Sequence, residues 1–333
     1  MNNMAAPNRR RIVLLGKTGA GKSSVANTIF GEEVFKINHT FNSETQTCQT
    51  KTGSVNGKEI TLIDTPGFFD SSNAEEEIKR EIVRCITECA PGPHAFLIMF
   101  KVEKFTEQEK AVVTKICEYF SEDVFKYTTV LFTHGDQIPD GQTINDVVKD
   151  NESVCDLVKK CGGRCHVIDN KYWNKTSEDQ YRTNRFQVEE LLKTIDKMVM
   201  ENSGGYYTNE MLQEVQAKIQ QEEENIRQSA GNMSEEEITR RAKKNVFKEF
   251  VIRVAGVCKD VLLGALFGAW EMVMLVCNIL RTSIKSAEAA AEQAAVAAAD
   301  AIKGTRMLFD MTCCSRGRSI KEGSSSCQCY IFQ

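Results

Sequence analysis

The run Gly16-Lys17-Thr18-Gly19-Ala20-Gly21-Lys22-Ser23 limits what this chain can fold into more than any other feature. It has the form G-x-x-x-x-G-K-[ST]. Its glycines let backbone amides turn toward phosphate oxygens, its lysine reaches the β and γ phosphates, and its hydroxyl can meet Mg²⁺. A loop of this kind works only between a strand and a helix. Arg11 to Leu15 is short and apolar, and Ser23 to Phe30, with Ser24 in its first turn, reads as a helix. The loop therefore opens an α/β unit.

Further apolar runs at Glu59 to Ile63, Ala95 to Phe100, Thr128 to Phe132 and Cys165 to Ile168 each end at a polar or glycine-bearing loop, as buried strands do. Glu75 to Cys89, Glu107 to Phe120, Ile144 to Cys161 and Phe186 to Met200 carry apolar residues three and four apart and read as crossover helices. The alternation predicts a doubly wound, mainly parallel, six-stranded sheet with ligands at the carboxyl ends of its strands. This domain is expected over residues 9–204, after a disordered start at 1–8.

Asp64-Thr65-Pro66-Gly67 directly follows a strand, where an aspartate can hold Mg²⁺ through water and Gly67 can lend an amide to a γ-phosphate. One hydroxyl-rich loop, Asn38 to Thr52, separates it from the phosphate loop, the layout of a switch-type GTPase. Thr45 is the preferred magnesium-sensing residue, with Thr47 and Thr40 as alternatives, so the metal set reads Ser23, Thr45 and Asp64. Leu131-Phe132-Thr133-His134-Gly135-Asp136 stands where guanine-selective proteins carry N/T-K-x-D. Asp136 is then the acceptor for the base, and His134 fills the lysine position, able to lie flat over a purine. After the last strand, Asp169-Asn170-Lys171 offers the Asn170 amide to the guanine O6 or N7, and Tyr172 and Trp173 either close over the base or pack.

Together G-x-x-x-x-G-K-S, D-T-P-G, L-F-T-H-G-D and D-N-K resemble the immunity-associated GTPases, the GIMAP family, which are related to septins and chloroplast import GTPases. The resemblance runs from about Arg9 to Met200, and includes Ser43-x-Thr45-x-x-Cys48 and Phe105-Thr106-Glu107-Gln108-Glu109. It implies binding of GTP or GDP with Mg²⁺, self-association or family hetero-association in the GTP state, slow hydrolysis, and a membrane-associated helical tail. Two departures bear on turnover. Lys104 stands where many members place an arginine suited to acting in trans, and lysine lacks the planar fork. Phe68-Phe69 follow D-T-P-G, where a water-orienting glutamine would serve hydrolysis, so turnover is expected at roughly 10⁻⁴ to 10⁻² s⁻¹. The alternatives are a GTPase completed by its dimer partner and a protein-binding module with a structural nucleotide.

Beyond Gly205 the composition changes. Asn209 to Lys248 is charged with sparse apolar residues, which suits a solvated helix or coiled-coil arm broken near Gly231. Val261 to Leu280 then holds twenty residues with the single charge Glu271. Three arrangements fit it: a membrane span or hairpin, an interfacial helix, or a helix folded on the domain or on a second chain. The helical extension is expected over 205–303, and 304–333 as a disordered tail. Cys313, Cys314, Cys327 and Cys329 there, near Arg316 and Arg318, resemble acylation sites.

A net charge of −4 over 333 residues argues against a nucleic-acid partner held by overall electrostatics. With no signal-type stretch in the first thirty residues and thirteen cysteines, an odd number, the chain reads as cytoplasmic with reduced thiols, on the cytosolic face of a membrane if on any. Cys161, Cys165 and His166 lack a second ligand pair at zinc spacing. They read as small residues where a helix passes into a strand.

Overall fold

Four consecutive side chains, Ile12 to Leu15, are fully buried in the first strand, β1 (Arg9–Gly16). A run with no polar face demands cover on both sides, and the computed structural model, which describes residues 9–35, 47–69, 75–173, 179–229, 231 and 233–282, supplies it. β1 lies between β3 (Lys58–Asp64) and β4 (Ala95–Lys101), both parallel to it, in a sheet of order β2-β3-β1-β4-β5-β6. β5 (Thr128–Thr133) and β6 (Cys165–Val167) continue in parallel, and β2 (Gln49–Val55) is antiparallel at the edge. The expected six-stranded, mainly parallel sheet is present.

Side-chain alternation divides β1 between two layers. Ile12 and Leu14 join the apolar cluster under α1 (Lys22–Phe30) and α7 (Asn184–Glu201). Val13 and Leu15 join the cluster under α2 (Glu75–Cys89) and α3 (Glu107–Tyr119). β2 falls partly in what the sequence reads as loop. Its residues, QTKTGSV, have no apolar face to mark them. The usable signal is the turn Asn56-Gly57, with φ of 51° and 74°, the two-residue hairpin geometry. The helix expected over Ile144 to Cys161 is two, α5 (Ile144–Lys149) and α6 (Glu152–Lys160), following a short α4 (Glu122–Lys126). Asn151 interrupts it by accepting from the Val154 amide at 3.1 Å, a side-chain cap that starts a new helix.

The charged segment after Gly205 is not a solvated arm. It forms the pair α8 (Glu210–Ser229) and α9 (Glu235–Arg253), and α9 buries Ile238, Ala242, Val246 and Phe250, one residue every four. So narrow a stripe lowers mean hydropathy yet is enough to seat a helix. The apolar run becomes α10 (Lys259–Leu266) and α11 (Trp270–Arg281), bent by 105°, and no single described helix is long and apolar enough to cross a membrane. The run here lies folded on the domain, although the bent pair together has the length and composition of a broken span. Val261 to Leu266 are buried on the domain, while Trp270 remains 63% exposed. Gly268 makes the bend with φ of 86°, where an added Cβ would come within 2.6 Å of Ser121 Oγ and Tyr207 Oη. The cysteine-bearing tail, the start at 1–8 and residues 283–303 lie outside the described residues.

Phe267, fully buried, fastens this extension to the sheet through Phe120 at 4.3 Å, Phe96 at 5.8 Å and Phe69 at 6.4 Å between ring centroids. Its carbonyl accepts from the Ser121 amide at 2.9 Å. Phe267→Ala is expected to lower the unfolding free energy by about 3–5 kcal/mol, through lost transfer energy plus a cavity, as measured by denaturant titration.

Candidate functional site

Register brings the carboxyl ends of the strands to one edge: Leu14 pairs with Asp64, and Gly16 with Met99. Gly16 is required there because a Cβ would meet the Met99 carbonyl at 2.8 Å. The loop Lys17, Thr18, Gly19 and Ala20 then turns through Gly21, the N-cap of α1, so the amides of the helix start face the edge where the strands end. Ser24 lies in the first turn. Lys22 is 5% exposed, and its Nζ donates to the carbonyls of Gly16 and Lys17, each at 3.0 Å. Thr133 Oγ1 donates to Ala20 O at 3.0 Å, tying the loop to the end of β5. Thr65 Oγ1 donates to Leu14 O at 2.6 Å, tying D-T-P-G to β1.

Lys17 turns the other way. Its Nζ reaches Glu109 Oε1 at 2.5 Å and Gln108 Oε1 at 3.3 Å at the start of α3. Burial alone would raise the Glu109 carboxyl, but the bonds from Lys17 and Thr106 outweigh it and hold that carboxyl at about 2. The segment carrying Lys104 is thereby fixed beside the phosphate loop, with Lys104 itself exposed and Phe105 packed on Phe100 at 5.8 Å.

Ser23 Oγ donates to Asp64 Oδ2 at 2.5 Å. Asp64 is fully buried, and among the described residues its Oδ1 has no hydrogen-bond partner. Burial pushes its carboxyl above the ordinary range, against the opposing pull of Ser23 and Lys22. An orphaned carboxylate oxygen beside a hydroxyl is a hard donor set, so Ser23 and Asp64 fit a small divalent cation. Gly67 is buried next to them. Thr45 and Thr40 lie outside the described residues, and Thr47 is exposed.

The base-site residues converge on the same edge. His134 is exposed with φ of 62°, and its Nδ1 lies 3.0 Å from Thr133 Oγ1. Asp136 is half-buried and accepts from Gln137 Nε2 at 2.6 Å. Asn170 accepts from Thr28 Oγ1 of α1 at 2.9 Å, and its Nδ2 lies beside Gly21. Trp173 is buried beneath Gly135, whose Cβ would fall 2.6 Å from the indole, so it packs; Tyr172 is 54% exposed. Three contributors escaped the sequence reading: Thr28, Asn184, and Asp169 as a structural acceptor. Only Asp169, inside the quoted D-N-K, carried a signal. The Cys161, Cys165 and His166 group is a helix-to-strand passage, with His166 Nε2 2.8 Å from Thr194 Oγ1 and no metal-binding cluster among the described residues.

A sequence profile of the AIG1 family matches residues 10–227. Immune-associated nucleotide-binding protein 8 of Arabidopsis thaliana is 35% identical over 235 residues, 68% of this chain and 64% of that protein. GTPase IMAP family member 8 of Homo sapiens is 30% identical over 199 residues, 60% of this chain and 29% of that protein. The match thus spans less than two thirds of either relative's length. Among solved structures, Toc33 from Arabidopsis thaliana in complex with GDP and Mg²⁺ is similar at 19% identity with a TM-score of 0.47, covering 61% of this chain and 88% of that one.

Because Asp64 binds its proton more tightly when folded, the ligand-free protein should lose stability as pH rises from the ordinary aspartate range through the raised value. Asp64→Asn should flatten that dependence and raise the unfolding midpoint at pH 8 in the absence of ligand. Thermal unfolding across pH checks both; an unaltered profile would remove the buried charge from the account.

Proposed function

The chain belongs to the AIG1 family, and on that premise we propose that it is a guanine-nucleotide-binding switch or scaffold that takes GTP or GDP with Mg²⁺ and assembles with itself in the GTP state. The observation that carries this reading is the position of Asn170, bonded to Thr28 and lying beside Gly21, which puts the base loop directly against the phosphate loop. One nucleotide then meets both. Lys22 faces the β and γ phosphates, the amides of Lys17 to Ser23 surround them, and Asp136 accepts from the ring N1–H and the exocyclic amine. Asn170 serves O6 or N7, and His134 covers the ring. Ser23 and Asp64 hold the metal, with Thr45 as the third contributor. Bound there, Mg²⁺ would neutralise charge on the β and γ oxygens. The relatives' names, nucleotide-binding protein and GTPase, support the same class.

Slow intrinsic hydrolysis follows from Phe68 and Phe69, which are 2% and 4% exposed and occupy the positions after D-T-P-G. Neither can orient water. A second reading, a GTPase completed by a partner copy, is favoured by Lys104, an exposed cation fixed beside the phosphate loop. Location on the cytosolic face of an intracellular membrane, through exposed Trp270 and the cysteine-bearing tail, is part of the proposal.

Turnover measured against protein concentration separates the readings. A turnover flat near 10⁻⁴ to 10⁻² s⁻¹ supports a switch, and a turnover that rises in proportion to concentration, so that total velocity rises with its square, supports completion in trans. Asp136→Asn should weaken GTP by about 10- to 100-fold and favour xanthine nucleotides, since a charge-assisted bond is worth roughly 1.5–3 kcal/mol. Unchanged GTP affinity would exclude Asp136 from the site. Light scattering of the full chain with GDP or a non-hydrolysable GTP analogue tests assembly, and identical masses would sink it.

A further inference from the structure

Asp169 is 1% exposed, and three backbone amides converge on its carboxylate. Its Oδ2 accepts from the Asp136 amide at 3.3 Å, and its Oδ1 accepts from the Lys171 amide at 2.9 Å and from the Tyr172 amide. Its own backbone is held on both sides by Asn184, whose Oδ1 accepts from the Asp169 amide at 3.1 Å and whose Nδ2 donates to its carbonyl at 2.5 Å. Asn184 is 5% exposed at the start of α7. One anchored carboxylate therefore fastens the loop bearing Asp136 to the loop bearing Asn170. Its remaining contact is with the Asp136 carboxyl itself.

We propose that Asp169 is the positioning residue that sets base specificity, holding the loop that bears Asp136 at the distance from Asn170 that a guanine edge requires. The inference rests on the guanine-site reading above. No covalent step is involved: the base's N1–H and exocyclic amine donate to the Asp136 carboxylate. His134 and Lys171 also face Asp136 and favour its charged form, while Asp169 opposes them. Burial and Asp169 together raise the Asp136 carboxyl, whereas Asp169, although its own burial opposes this, is held low by the amides it accepts. Guanine affinity is accordingly lost as pH falls, beginning above the range of a solvated aspartate.

The test uses the full chain and its Asp169→Asn variant, with GDP, IDP and ADP in competition binding from pH 4.5 to 8. IDP lacks the exocyclic amine, so the GDP-to-IDP ratio reads how well Asp136 is aimed. The variant should lower that ratio about three- to tenfold, leave the weak affinity for ADP in place, and move the acid limb of GDP binding to lower pH. Equal losses for all three nucleotides with an unmoved limb would make Asp169 a structural staple and overturn the proposal. Should the variant fail to fold, carboxyl-¹³C titration of the unaltered chain decides: Asp136 should titrate high without nucleotide and lose that shift with GDP. Two independent, ordinary midpoints overturn it. Failure of the guanine reading itself looks different, because Asp136→Asn would then leave the preference between GDP and XDP unchanged.

Discussion

Two opposite charges buried at the carboxyl edge of the sheet, the Lys22 ammonium and the Asp64 carboxylate, are the constraint on which this structure turns. Burying either is costly unless hydrogen bonds replace water. Lys22 Nζ donates to two carbonyls of its own loop, while Asp64 accepts one hydroxyl and keeps one oxygen without a partner among the described residues. The orphaned Asp64 Oδ1 marks the side where a cation belongs, and the helix start around Gly21 marks the side where an anion belongs. Three contacts fix the loops that carry these two groups: Gly16 against Met99, Thr133 on Ala20, and Thr65 on Leu14.

Legibility in the sequence followed the locality of the physics. The phosphate loop is readable because its glycines, lysine and serine act at fixed separations along one stretch of chain. The central strands are readable because two-sided burial leaves unbroken apolar runs such as Ile12 to Leu15. β2 is not, because an edge strand needs only backbone pairing, and Gln49 to Ser54 carry little else. Ile144 to Cys161 misled because both halves keep helical spacing while one asparagine cap divides them. Val261 to Leu280 stayed open between a membrane and a protein interior because both demand the same composition. The contacts that seat it on the domain come from Phe69, Phe96 and Phe120, which are remote in sequence. The role of Asp169 is not legible in D-N-K, since which amides a carboxylate collects is a property of two loops meeting.

The extension completes the domain. One apolar cluster runs from Val13 and Leu15 through α2 and into α8, α9, α10 and α11. Polar ties follow the same border: Lys79 Nζ donates to Ala255 O at 3.1 Å, and Asn209 Nδ2 donates to Ala265 O at 2.9 Å while capping α8 through the Leu212 amide. A chain ending near Gly205 would leave Phe69, Phe96 and Phe120 facing water. An aromatic side chain loses about 1.5–3 kcal/mol on such exposure, so the α/β portion depends on its helices for more than length.

That dependence explains why the residues after D-T-P-G suit holding better than hydrolysis. Phe69 lies over Phe267 with ring planes 19° apart, which commits it to the core between α2 and α10. A glutamine in its place would bury an amide with no partner and could orient water only by leaving the core. Packing occupies the position that a water-orienting side chain would need on the proposed reading. Any group that speeds phosphoryl transfer must then come from a side chain free of the core. Lys104 meets that condition, exposed on a segment whose far end is clamped to the phosphate loop by Lys17 and Glu109. On the second of the two readings, turnover depends on whether a second copy presents that lysine, so hydrolysis and assembly become a single event.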